Sequence, residues 1–301
     1  MSDKDKKRHV PAEWAPHKAI WTAWPSHAQL WKDDLEGARA EVAAMVGALS
    51  TGDVIRVLAR GDEAIASARR ALGERTEIIP ADFGDIWLRD TGPIFAATTD
   101  GPIALRFANN GWGGKYKLPG DDSVGDVVAQ AAGVAIERFG FVLEGGALEH
   151  NGAGTILTTR QCLLNANRNT GWSQVKAEAM LADAFQCQRV LWLDEGLLND
   201  HTDGHIDNLA RFIGQDTVVC QSASGDDDPN ASLYDSIAEE LDAMDLTVQR
   251  IPSPGKICNT DGEVMPASHM NFIIGNEAVV VPIYNEHHGA AAVGALQKLF
   301  E

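Results

Sequence analysis

The chain has 301 residues, 45% of them hydrophobic, enough apolar material to bury a large core as one big domain or two ordinary ones. Its net charge of -18 leaves no basic face for phosphates, so no nucleic acid is expected as a partner, and the acidity either weakly favours a cationic ligand or serves solubility alone. The charged N-terminal "MSDKDKKRHV" has no apolar run, nothing later approaches the roughly 18 consecutive apolar residues that cross a bilayer, and Cys162, Cys187, Cys220 and Cys258 form no CxxC pair; these features predict a cytoplasmic protein with reduced thiols and no membrane partner.

In chain order, the N-terminal part predicts a strand at "KAIWTAWP", a helix at about 33–49, a strand at "DVIRVLAR", another short helix and a strand at "TEIIPA". Then comes a recurring unit. "WLRDTGPIFAATTDGPIALRF", "FVLEGGALEHNGAGTILTT", "DNLARFIGQDTVVCQ" and "MNFIIGNEAVVVP" each read as two apolar runs around a turn, the signal of a hairpin. Helical patterns follow near 123–133, 173–185, 230–244 and 288–300, and after the first three comes another strand, "FGFVLE", "QRVLWL" and "LTVQRI". Strand, strand, helix, strand at a spacing of about 50 to 60 residues suggests a radial array of repeated modules, with the N-terminal strand lacking a hairpin mate.

The polar stretches "DIWLRDTGP", "LEGGAL" and "DHTDGHIDN" occupy equivalent places at the first three hairpins. In a radial array equivalent places converge on the axis, so Asp90, Glu144, His205 and Asp207 are expected to meet in one pocket, with Trp87 and Trp112 as apolar walls. Carboxylates facing one cavity call for a cation, and a planar guanidinium presents five N–H donors to paired carboxylates. A histidine beside them can move protons near neutral pH.

At these residues the sequence resembles the agmatine deiminase family, which includes bacterial peptidylarginine-deiminase-like enzymes, within the pentein or guanidine-modifying superfamily. The motifs that carry the resemblance are "PAEWAPHKAIWTAWP", "DIWLRDTGP", "NGWGGKY", "LEGGALEHNGAGTILTTRQCLLNANRN", "DHTDGHIDN" and "PASHMNFII", in the family's order over nearly the whole chain. The resemblance implies a single pentein-type α/β propeller domain spanning 1–301, with pseudo-fivefold repeated modules and the last one incomplete. It implies no metal and no organic cofactor, a small cationic guanidinium substrate, and a place in putrescine and polyamine biosynthesis; homo-oligomerisation is left open. Asp90 and Asp207 look like the carboxylates that hold the guanidinium nitrogens, His205 like the general acid and base, Glu144 like its orienting carboxylate, and Trp87 like the aromatic residue of the substrate channel.

In the family a cysteine thiolate attacks the guanidinium carbon and ammonia leaves; water then hydrolyses the thiouronium intermediate. The family's nucleophile lies in a glycine-rich His-Cys segment that is not found before "LQKLFE", so it is expected beyond Glu301, and the 301 residues alone are expected to be inactive. Cys162, Cys187 and Cys220 read as small core residues; Cys258, in the loop "SPGKICNTDG", is the best placed substitute. Three other readings stand beside this one. His201 and His205 share the spacing of an HExxH zinc site, although Asp203-Gly204 favours a turn over the required helix. Peptidylarginine is the second substrate, and a guanidinium-binding pentein without catalysis is the alternative outside enzymes.

Overall fold

A computed structural model describes residues 7–300. Their Cα packing forms two compact units, one holding Glu13–Gly145 with Ile274–Val280 and the other Gly146–Ile273 with His9–Ala12 and the chain from Val281 onward.

The first unit draws on Arg8 of strand β1 (Arg8–His9) and on strands β2 (Ile20–Ala23), β3 (Ile55–Ala59), β4 (Thr76–Pro80), β5 (Ile94–Thr98), β6 (Gly101–Ala108) and β7 (Ala135–Val142). β2, β3 and β4 form a parallel sheet in that order, with helices Leu35–Leu49 and Asp62–Ala71 between successive strands, as parallel neighbours require a crossover. β2 lies at the edge, as expected for a strand without a hairpin mate, but it is shorter than "KAIWTAWP" suggests. β5 and β6 make the first predicted hairpin, and helix Val124–Ala132 returns the chain to β7, parallel to β6. β7 starts earlier than "FGFVLE" because Ala135 already pairs with Ile103, and the register shifts between Arg106 and Ala108. Two-residue β1 completes this sheet beside β5 and has no signature in the sequence. A core of Ala23, Leu58, Phe83, Val124 and Val128 gathers Ile86, Leu88 and Phe95 around it, which anchors both sides of the "DIWLRDTGP" turn.

In the second unit β8 (Leu148–His150), β9 (Thr155–Thr159), helix Gln174–Phe185 and β10 (Arg189–Leu193) repeat the same plan. So do β11 (Ala210–Phe212), β12 (Thr217–Ser222), helix Ala231–Asp242 and β13 (Thr247–Pro252). Each has an antiparallel hairpin followed by a parallel third strand. The fourth hairpin, the short ribbon of β14 (Ile273–Ile274) and β15 (Val279–Val280), is counted with the first unit from Ile274 on, and helix Glu286–Gln297 follows it in the second. The predicted order of strands and helices is therefore present module by module, and the period is legible because each hairpin alternates with one amphipathic helix.

A buried ion pair ties two modules of the second unit together. Arg211 on β11 pairs through Nε with Glu149 on β8, and its Nη1 donates to the carbonyls of Phe272 (2.6 Å) and Met270 (3.2 Å). The second oxygen of Glu149 accepts the Phe212 N–H at 3.2 Å. Both side chains are almost fully buried, so removing one leaves the other charge desolvated. Glu149→Ala is expected to lower unfolding free energy by about 3–5 kcal/mol. Glu63→Ala, which removes an exposed partner of Arg39, should cost at most about 1 kcal/mol; urea titrations of the two variants check the contrast.

Candidate active site

In the first unit the "DIWLRDTGP" stretch becomes a single helical turn, Leu88–Thr91, immediately before β5. The N–H groups of Asp90 and Thr91 both bond to the Trp87 carbonyl at 3.1 Å, and Gly92 N–H bonds to Leu88 O at 3.0 Å. Arg106, buried on β6, reaches the Thr91 carbonyl through Nη1 (3.3 Å), Asp126 through Nε (3.1 Å) and the Asp122 carbonyl through Nη2 (2.9 Å). A buried guanidinium thus holds the far end of the turn that carries Asp90. Arg89, the neighbour of Asp90 in sequence, donates to Glu13 at 2.6 Å.

Trp112 is buried, and its indole N–H donates to the Asp90 carboxylate at 2.8 Å. Its backbone has φ 51°, which is unfavourable for a bulky residue. The Asn110 side chain, accepting the Gly113 N–H at 2.9 Å, and that of Asn109, accepting the Gly111 N–H at 2.8 Å, hold the loop in this conformation. The residue read as an apolar wall is therefore also a donor that orients one candidate carboxylate. Trp87, by contrast, is 53% exposed. Its indole N–H donates to Asp85 at 2.9 Å, whose other oxygen accepts the Ile86 N–H at 2.8 Å.

Glu144 is buried and lies just before the 3-10 turn Gly145–Ala147, which leads into β8. A Cβ at Gly145 would sit 2.1 Å from the Arg89 carbonyl oxygen, so only glycine lets the Glu144 segment lie against the Asp90 turn. Within this unit Asp90, Trp112 and Glu144 thus occupy adjoining segments, with Trp87 at the exposed start of the same turn.

In the second unit "DHTDGHIDN" forms a tight turn and then a 3-10 helix, Ile206–Asn208, immediately before β11. The Thr202 hydroxyl accepts the His205 N–H at 3.1 Å and donates to Asp200 at 2.7 Å. Thr159, at the end of β9, donates its hydroxyl to the Gly204 carbonyl at 2.6 Å. His205 and Asp207 are both buried, and a ring nitrogen of His205 and a carboxylate oxygen of Asp207 lie within 4.8 Å of each other. His201 is exposed on the turn, so the two histidines do not share a helix face. Cys162 is buried as expected, yet its sulfur lies within 4.8 Å of a His205 ring nitrogen, a proximity that the spacing of 162 and 205 does not reveal. Burial pushes the Cys220 thiol up to about 11 and raises that of Cys187; Cys258 is exposed.

The three acidic stretches share one place in their modules: Asp90, Glu144 and Asp207 each precede the first hairpin strand by three or four residues. Sequence reasoning missed the groups that fix them. Asp85 stands two residues before Trp87, a local signal that could have found it. Arg106, Asp121 and Arg168 are far in sequence from the turns they hold and leave no spacing signal.

The sequence model of the Porphyromonas-type peptidyl-arginine deiminase family matches residues 9–301. An agmatine deiminase of Stutzerimonas stutzeri (strain A1501) is 32% identical over 97% of this chain and 88% of its own length, and one of Pseudomonas aeruginosa (strain UCBPP-PA14) is 31% identical over 97% and 87%. Among solved structures, a cysteine-to-serine variant of C. jejuni agmatine deiminase with substrate bound superposes with a TM-score of 0.92 at 25% identity, covering 100% of this chain and 90% of that one. Agmatine deiminase of Enterococcus faecalis gives 0.90 at 26% identity, with coverage of 97% and 88%. An α/β protein built of repeated hairpin modules, with acids and a histidine on the turns that enter them, is a guanidine-modifying pentein. The chain belongs to the Porphyromonas-type peptidyl-arginine deiminase family.

The loop that presents Trp87 carries a titration of its own. Asp121 is buried, and one of its oxygens accepts the N–H groups of Gly84 (2.8 Å) and Asp85 (3.2 Å). Burial raises its pKa above the ordinary 3.8, and the two backbone bonds only partly offset this. The folded protein therefore retains this proton to higher pH than the unfolded chain. Its contribution to stability is present in full below 3.8 and is lost as pH rises through the higher native value. Asp121→Asn, which keeps the acceptor oxygen, should remove that loss, so its stability relative to the parent protein should increase on going from acid toward neutral pH. Urea unfolding of both proteins across that range tests the sign.

Proposed function

We infer that this chain is an agmatine deiminase, a hydrolase that converts agmatine and water to N-carbamoylputrescine and ammonia. The observation that carries the reading is whole-length similarity to agmatine deiminases, 32% identity over 97% of the chain, together with the family's polar turns at the entrances of three hairpins. The substrate is a small guanidinium cation.

Asp90 and Asp207 are proposed to hold the guanidinium nitrogens, a role supported by the orientation that the Trp112 indole imposes on Asp90 and by the burial of Asp207. A carboxylate accepting from a guanidinium makes a strong charge-assisted bond. His205 is proposed to move the protons and Glu144 to orient it, and Trp87 and Trp112 to contribute the walls. A thiolate adds to the central carbon of the guanidinium, and the tetrahedral adduct expels ammonia with a proton from His205. Water, deprotonated by the same histidine, then attacks the thiouronium carbon, and the thiolate leaves as the urea product forms. Cytoplasmic location remains part of this proposal; no helix among the described residues is long and apolar enough to cross a membrane.

Ammonia release from agmatine should be much faster than from free arginine, whose added carboxylate meets an acidic site and is desolvated without a partner. Equal rates would sink the assignment. His205→Ala should lower kcat by about 10²-fold or more, and Asp207→Ala should also weaken agmatine binding by about 1.5–3 kcal/mol. Activity that is lost on chelation, with one metal ion per chain, would favour the zinc reading instead.

The thiols are tested separately. Serine in place of Cys187, Cys220 or Cys258 should leave the turnover of an active preparation intact, because burial raises the pKa of the first two thiols and so disfavours their thiolates, and Cys258 lies outside the three polar turns. Loss of turnover in Cys258→Ser alone would make that loop residue the nucleophile.

A further inference from the structure

We propose that Arg168 is a positioning residue for His205, acting through the turn that precedes it. The proposal rests on His205 being the general acid and base. Arg168 comes from "NANRN", the connection between β9 and helix Gln174–Phe185. Its guanidinium is completely buried and spreads over the turn: Nη1 pairs with the Asp203 carboxylate and with Asn167 Oδ1 (3.0 Å), and Nη2 donates to the Thr202 carbonyl (2.9 Å). Asn167 Nδ2 adds a bond to the same Asp203 oxygen at 3.0 Å.

This turn needs such support. Asp203 and Gly204 adopt φ of 63° and 85° in succession, left-handed conformations that glycine enters freely and aspartate only at some cost. Such a backbone persists only where its surroundings over-determine it. Four consecutive residues are held: Thr202 by Arg168 and Asp200, Asp203 by Arg168 and Asn167, Gly204 by Thr159, and His205 by its N–H to the Thr202 hydroxyl. Arg168 is the only group that touches both Thr202 and Asp203 among these contacts. A planar fork can serve a carboxylate and a carbonyl at once, whereas a lysine ammonium places its charge at one point. The ring of His205 is aimed by this backbone, and a proton donor displaced by about 1 Å loses on the order of 10²-fold in rate.

Arg168→Lys preserves the charge and much of the volume but not the fork. In an active preparation it should lower kcat by about 10-fold or more while KM for agmatine stays within about twofold, since the carboxylates that bind the guanidinium are untouched. Asp203→Asn keeps a residue tolerant of the left-handed conformation and should show the same split, which guards against a misfolded lysine variant. A readout independent of turnover is the His205 ring resonance in the 301-residue protein, assigned by its disappearance in His205→Ala. It should shift in both variants and not in the control Arg60→Lys. Unchanged kcat and an unmoved resonance in Arg168→Lys would overturn the proposal, as would a kcat loss matched by an equal rise in KM. If His205→Ala itself leaves kcat intact, the assignment of His205 fails first, and the positioning role falls with it.

Discussion

In each unit the candidate polar side chains share one constraint: they sit on or beside single helical turns just before hairpins, segments too short for a helix ladder of their own to fix the backbone. A catalytic constellation must be held to within a fraction of an ångström. Each turn is therefore supported by groups outside it. Arg106 grips the Asp90 turn from β6, Gly145 admits the Arg89 carbonyl beside Glu144, and Arg168, Thr202 and Thr159 hold the segment before His205. At the Asp90 turn and at the turn before His205 the chemistry is the same: a donor takes up a backbone carbonyl, Arg106 that of Thr91, Arg168 that of Thr202 and Thr159 that of Gly204.

Arginine suits this work better than lysine. Its fork satisfies several acceptors at once and remains charged under all conditions a folded protein meets. Arg106 and Arg211 show the pattern away from the turn before His205, each combining one carboxylate with two backbone carbonyls. A composition of 43 acidic against 25 basic side chains thus does not mean that arginine is dispensable. Several of the few cations are placed inside, where each holds several strands or turns, and acids dominate the outside.

The order of elements was legible in the sequence because hairpins and amphipathic helices have different periods and alternate regularly. The candidate residues were legible because they are polar groups interrupting apolar strands at a repeated place. What was not legible was support from a distance. Arg168 acts on residues 34 and 35 positions away, and Asp121 on residues 36 and 37 positions away; no local periodicity encodes such pairs. Two-residue β1 was missed because so short a strand carries no alternation, and β7 was placed late because its first residues, "AIER", do not look apolar. Trp112 is read from the sequence as an aromatic wall, whereas its indole bond to Asp90 and its positive φ are features that sequence does not disclose.

The support of the His205 turn also bears on the proton-carrying role proposed for this histidine. A proton carrier must alternate between charged and neutral forms without the fold rearranging around it. Bonds made to its side chain alone would strengthen or weaken with each transfer. Here much of the holding is done through the backbone, by Thr202 on the His205 N–H and by Thr159 on the Gly204 carbonyl, and these bonds do not depend on the ring's protonation. The neighbouring charges are fixed in the same spirit: Asp203 is committed to Arg168 and Asp200 to Thr202. Among the acids close in sequence to His205, Asp200 and Asp203 thus build the turn, while Asp207 lies on the 3-10 helix that follows, and it is this acid for which guanidinium binding is proposed.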